Sequence, residues 1–167
     1  MTRSPGVRAS TGGRLDYLCL QPTREGQASH AHVAEIAEGL RRGGWTARLA
    51  QPPLPRRQRH LDGVRGLGTV ITTQLRYWIA CRLRPAPVVY VRAHFAALPT
   101  ALLARAAGST VVQELNGPFE DALDAWPGLR RIGPVVLLSS RAQLRLADAV
   151  IVVTDGLVGY VRRRVPR

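Results

Sequence analysis

The sequence predicts an α/β fold: a Rossmann-like, three-layer αβα domain built on a mainly parallel sheet. Three observations carry this expectation. Short apolar runs alternate along the chain with longer segments of helical periodicity. No hairpin signal joins any two of the strand-like runs. The opening unit, LDYLCLQPTREGQASHAHVAEIAEGLRRGG over residues 15–44, has the strand, glycine-containing loop and helix that begin such sheets. Repeated βαβ units have right-handed crossovers and parallel strands. The first strand is therefore expected to be central, with helices on both faces.

Each element follows from local pattern. Residues 15–20 form an apolar strand, and a polar loop runs from it to Gly26. Val33, Ile36, Ala37 and Leu40 then fall on one helix face. Ser29 is the expected N-cap, and Arg41 and Arg42 before Gly43 and Gly44 mark the C-terminus. Residues 46–50 are a second strand, and the proline- and arginine-rich run QPPLPRRQRH is a surface loop. A long helix is expected over 61–83, with Leu61, Val64, Leu67, Val70, Ile71, Leu75, Trp78, Ile79 and Leu83 near one stripe. Gly63, Gly66 and Gly68 weaken its first half, and Pro85 and Pro87 stop it. VVYVR at 88–92 is a third strand and 99–107 a helix, with Pro99 near its start and Gly108 past its end. TVVQEL at 110–115 is a fourth strand, broken by Asn116-Gly117-Pro118. Residues 119–134 read as irregular, 135–146 as helix and 155–164 as a last helix. AVIVV at 149–153 is a fifth strand whose continuous apolar run is that of a strand covered on both faces.

A chain of 167 residues suffices for one domain with a full core, expected over 15–167 behind a disordered tail at 1–14. The tail lacks the apolar region of a secretory signal, and no stretch of about 18 apolar residues spans a membrane. Cys19 and Cys81 are expected as buried thiols in a reducing compartment, so the location is read as cytoplasmic. All 24 basic residues are arginine, a bias expected from GC-rich codons, and the net charge is +13. Such charge favours polyanions, nucleotide phosphates or an anionic membrane surface, without choosing among them. Arg56, Arg57, Arg59 and the apolar helix near Leu61 are the expected contacts with anionic lipid.

In an open parallel sheet the ligand crevice lies beyond the carboxyl ends of the strands. Gly26, Gln27, Ser29 and His30 there can hold a phosphate or sugar at a helix N-terminus, or be a plain strand-to-helix turn. Arg92 can clamp a carboxylate or phosphate and His94 can act as a base, or both can be ordinary surface residues. Glu114 is costly to bury unless it has a partner or a role, either orienting a reacting hydroxyl or pairing with Arg92. Asn116 beside it is a turn residue or part of the site. Thr154 and Asp155 read as a helix cap. No metal-ligand spacing and no dinucleotide, Walker or nucleophile-elbow motif is present.

Four stretches carry a resemblance. GQASHAHVAEIAEGLRRGGWTARLA, VVYVRAHFAALPTALLAR, VVQELNGPFED and ADAVIVVTDGLVGYVRRR, in this order, resemble the N-terminal half of family-4 glycosyltransferases with the two-domain GT-B fold. The third is similar to the Glu-x-Asn-Gly-Pro run of polysaccharide-building members. The resemblance implies sugar transfer, of hexosyltransferase type, from a nucleotide-sugar donor to a glycan or lipid-linked acceptor, with no metal or cofactor. It implies that this domain binds the acceptor; the crevice residues Gly26, Gln27, Ser29, His30, Arg92 and His94 are then the expected contacts, with Glu114 and Asn116 expected at the reacting centre. The donor belongs on a second Rossmann-like domain, which is absent here, so this length alone is expected to be inactive. Many members place a histidine after the fourth strand, where this chain has Asn116. Location is expected at the cytoplasmic face of the membrane, with no nucleic-acid partner. The rival reading is a stand-alone basic α/β module that binds a polyanion or an anionic membrane without catalysis.

Overall fold

The computed structural model describes residues 12–53, 63–83 and 86–165. Five strands form one sheet: β1 (Arg14–Leu18), β2 (Thr46–Ala50), β3 (Val88–Arg92), β4 (Thr110–Leu115) and β5 (Ala149–Val152). Their order is β2-β1-β3-β4-β5, and every neighbouring pair is parallel. The helices among the described residues are α1 (Ala28–Arg42), α2 (Gly63–Leu83), α3 (Leu98–Ala106), α4 (Glu120–Ala125), α5 (Gly133–Leu146) and α6 (Asp155–Arg164). Short 3-10 helices occupy Phe95–Ala97 and Pro127–Ile132. The chain is thus an α/β domain with an all-parallel sheet flanked by helices.

Strand alternation divides the core into two layers. Leu15, Tyr17, Cys19 and Tyr90 face Val33 and Ala37 of α1. Leu18, Leu20, Val89, Val91 and Val111 point the other way, against Val70, Tyr77 and Cys81 of α2 and Ala101 and Ala104 of α3. A third cluster joins Leu115, Val150 and Val152 to Leu144 of α5 and to Leu157 and Tyr160 of α6. Across β1 and β2, Asp16 lies in register with Arg48, whose Nε and Nη2 donate to its two carboxylate oxygens at 2.9 and 2.8 Å. This two-pronged pair fixes the register of the edge strand, since a one-residue slip would bury Asp16 unpaired.

Several expectations are corrected. β1 is internal, but the middle strand is β3. β1 begins at Arg14, inside the expected tail, and residues 1–11 of that tail lie outside the described residues. Ser29 does not cap α1: the cap position is Gln27, whose carbonyl accepts from His30 N and Ala31 N, and Ser29 lies in the first turn. Residues 119–134 are not irregular but carry α4 and a 3-10 helix. β5 is covered on one face only. Ile151, in register with Glu114, is on the side of α1, which packs over β1 and β3, and it remains exposed.

The largest correction concerns α2. Leu67, Ile71, Leu75 and Ile79 point to solvent, while Val70, Thr73, Gln74, Tyr77 and Cys81 are buried. The threonine and glutamine side chains on the inner face have partners, whereas the buried Tyr77 hydroxyl has none among the described residues. Thr73 Oγ1 donates to Thr69 O at 2.8 Å, and Thr100 of α3 donates to Gln74 Oε1 at 2.7 Å while accepting from Trp78 Nε1 at 3.3 Å. Satisfied polar groups cost little to bury, so the close approach of α2 to α3 selects this face rather than the more apolar one. Arg56, Arg57, Arg59, His60 and Leu61 lie outside the described residues. No helix among the described residues is long and apolar enough to cross a membrane.

Candidate functional site

The parallel sheet brings the carboxyl ends of β1, β3 and β4 to one edge, and α1 starts there. Arg92 and Glu114 end their strands in register. Glu114 is only 1% exposed, and four donors surround its carboxylate. Oε1 lies 3.0 Å from Arg92 Nη1, 2.7 Å from Asn116 Nδ2 and 2.9 Å from His32 Nε2, and Tyr17 donates to Oε2 at 3.0 Å. Three of these contacts converge on Oε1 and one on Oε2, so both oxygens of the carboxylate are held from within the protein.

His32 is the residue that reading the sequence missed. It sits in the second turn of α1 next to buried Val33, on the flank of the core-facing stripe. Glu114 can only accept, so the ring nitrogen facing it, Nε2, carries the proton; in the neutral ring Nδ1 is then a bare acceptor. The side chain remains 34% exposed, so the imidazole is the member of the cluster that solvent reaches most. The same logic orients Asn116: its Nδ2 must face the carboxylate, which leaves Oδ1 buried with no hydrogen-bond partner among the described residues.

The other expected site residues are arranged differently. Gly26, at φ +86, makes the left-handed turn that only glycine adopts without strain. Gln27 closes that loop, its Oε1 accepting from Arg24 N at 2.9 Å. Ser29 and His30 are half-buried in the first turn of α1. Among the described residues no side-chain hydrogen bond links Gly26, Gln27, Ser29 or His30 to Glu114; they stand on the same helix start as His32. His94 is committed to its own turn: Nδ1 accepts from Ala96 N at 3.2 Å, and the ring stacks on Phe95. Gln143 Nε2 donates to its carbonyl at 3.1 Å, tying the turn to α5.

Electrostatics follow from burial. Burial, then the charge of Glu114, raises the Tyr17 and Tyr90 hydroxyls well above the ordinary phenol value, so both stay protonated. Burial pushes the Cys19 thiol up to about 11, which removes it as a nucleophile. Burial likewise pushes His94 down to about 4. Among the described residues no group of three or more His, Cys, Asp or Glu is placed to hold a metal ion. No protein-family model matches the chain, and no curated protein matches it.

Two outcomes are expected. Glu114→Gln strands the buried Arg92 guanidinium and should lower the free energy of unfolding by about 3 kcal/mol in chemical denaturation. Adding Arg92→Met removes the stranded charge and should return a good part of the loss; a double variant as unstable as the sum of the singles would contradict the pairing. The second outcome concerns pH. The unfolded chain takes a proton on His94 near 6.5 and the folded protein only near 4, so the unfolded state binds more protons between those values. Stability present above pH 6.5 is therefore lost as the pH falls toward 4. His94→Asn keeps an acceptor for Ala96 N without titrating, and its denaturation midpoint should fall less than wild type between about pH 6.5 and 5. Parallel slopes for the two proteins would show that His94 is not kept neutral by the fold.

Proposed function

We propose that this domain is the acceptor-binding half of a GT-B glycosyltransferase of hexosyltransferase type, in which a nucleotide-sugar donor is held by a second domain and the acceptor is a glycan or a lipid-linked sugar. The observation that carries the reading is the imidazole of His32, held by a buried carboxylate through Nε2 and still 34% exposed. A carboxylate behind an imidazole fixes its tautomer and steadies the positive charge that develops when it takes a proton. His32 Nδ1 is thus the base that accepts the proton of an attacking sugar hydroxyl. Glu114 is a positioning residue, since its oxygens are already occupied.

The polarity of the exposed imidazole supports the same ligand class. His32 Nδ1 accepts hydrogen bonds, whereas Asn116 Oδ1, also an acceptor, is buried without a partner among the described residues. Hydroxyl groups of a sugar donate, whereas phosphates and carboxylates only accept. Arg92, the expected anion clamp, is instead the counterion of Glu114. The cluster therefore suits a neutral polyol better than the net charge of +13 alone would indicate. Gly26, Gln27, Ser29 and His30, at the start of α1, would add contacts to the acceptor on this reading. On this reading the domain works at the cytoplasmic face of the membrane, where its donor would be supplied.

An NMR titration of the 167-residue chain tests this. A panel of oligosaccharides and lipid-linked sugars should shift the signals of His32, Asn116 and the first turn of α1. Nucleotide-sugars should shift little, and their turnover by this chain should be absent, because opposing domains must align the two substrates. Turnover, tight nucleotide-sugar binding, or shifts confined to the arginines upon adding heparin or RNA would each sink the reading.

A further inference from the structure

We propose that Tyr160 of α6 is a positioning residue for the crevice: it holds the turn after β4 so that the Asn116 amide meets Glu114. That turn is the least fixed support of the cluster. Tyr17, His32 and Arg92 reach Glu114 from β1, α1 and β3, whose backbones are held by sheet or helix hydrogen bonds. Asn116 reaches it from the first residue beyond β4, with Nδ2 2.7 Å from Glu114 Oε1. What holds residues 116–119 therefore decides whether this donor stays in place.

Tyr160 holds them from a separate element. Its hydroxyl accepts from Phe119 N at 2.9 Å and donates to Glu120 Oε2 at 2.7 Å. A phenol hydroxyl has one proton and free lone pairs, so it serves both at once. The first N–H groups of a helix have no partner within it, and the cap position of α4, Phe119, has no side-chain cap; Tyr160 supplies the missing acceptor. Arg164, one turn further along α6, pairs with Glu120 and lies over the Tyr160 ring, 4.5 Å from its centroid. Arg141 of α5 donates to the Arg164 carbonyl at 2.9 Å. Phe119 itself is buried in the cluster of Leu115, Leu144 and Leu157. Only Gly117 and Pro118 separate it from Asn116. Pro118 has a fixed φ, and a Cβ on Gly117 would come 3.0 Å from Asp121 Oδ2, so the turn runs close against α4. So short a link passes a shift at Phe119 on to Asn116. The consequence for an acceptor rests on the reading of the crevice as its site; the latch itself does not.

Proton–nitrogen NMR of the ligand-free chain tests this through the side-chain amide of Asn116. In the wild type that amide, bonded to a buried carboxylate, should be shifted from the free-amide position and slow to exchange with water. Tyr160→Phe keeps the ring and removes both hydrogen bonds. The Asn116 amide should then move toward the free position and exchange about tenfold faster or more, the scale of losing two hydrogen bonds. Glu120→Ala spares the bond to Phe119 N and should give a smaller change in the same direction. Val70→Ala, which opens the core beneath α2, lowers stability without touching α6 and should leave the Asn116 signals in place. Unchanged Asn116 signals in the Tyr160 variant, or equal changes in the Val70 variant, would overturn the proposal. If Tyr160→Phe does not fold, Glu120→Ala decides, and an unchanged Asn116 amide in it has the same meaning. No sugar is present in these spectra, so they stand apart from the oligosaccharide titration that tests the acceptor reading.

Discussion

One buried charge organises this domain. A carboxylate that is 1% exposed must be matched by donors or be protonated, and Glu114 is matched by four. The donors come from β1 (Tyr17), α1 (His32), β3 (Arg92) and the turn after β4 (Asn116). Each is held by a different element, so the carboxylate ties together the elements that meet at the carboxyl edge of the sheet. The consequence reaches beyond stability. Arg92 is neutralised, the Asn116 amide oxygen is buried and unpartnered among the described residues, and His32, partly exposed, has Nε2 committed to the carboxylate. A group that anchors the fold also sets which atoms are left for a ligand.

The surrounding architecture makes that arrangement possible. Parallel pairing places Arg92 and Glu114 side by side, because residues in register on neighbouring parallel strands share a face. The T-shaped contact of Tyr17 with Tyr90, centroids 5.0 Å apart, packs the ring whose hydroxyl donates to the carboxylate. α1 serves core and site at once: Val33 and Ala37 pack on the sheet while His32, one residue earlier than Val33, reaches Glu114. The other layer follows a different rule. α2 packs through a face on which Thr73, Gln74 and Trp78 find partners on α3 or within α2, and its bulkiest aliphatic residues are left outside.

Much of the fold was legible because its strands are short, β-branched and separated by helical periods. β3 and β4 fall on the apolar runs at 88–92 and 110–115, and the parallel order follows from the absence of hairpins. The face of α2 was not legible. Apolar residues occur on both sides of that helix, and periodicity alone cannot weigh an aliphatic stripe against satisfied threonine and glutamine. The coverage of β5 was misread because an apolar run looks alike in an edge strand and in a buried one. In the site, Glu114 and Arg92 stood out as charges at the ends of apolar strands. His32 did not, because its partner is 82 residues away and nothing local distinguishes it from the exposed polar residues of α1. An unexplained buried carboxylate was the available signal: it demanded donors, and a histidine flanking the buried face of the first helix was a candidate to supply one.

Glu114 fixes the proton of His32, and long-range proton–nitrogen NMR of the imidazoles reads that proton directly. At mildly alkaline pH, where an ordinary imidazole is neutral, His32 should hold its proton on Nε2, and Glu114→Gln should let the two tautomers mix. A wild-type protein with the proton on His32 Nδ1 would contradict this, because Nε2 could then donate nothing to the carboxylate and the crevice would receive a donor in place of a base.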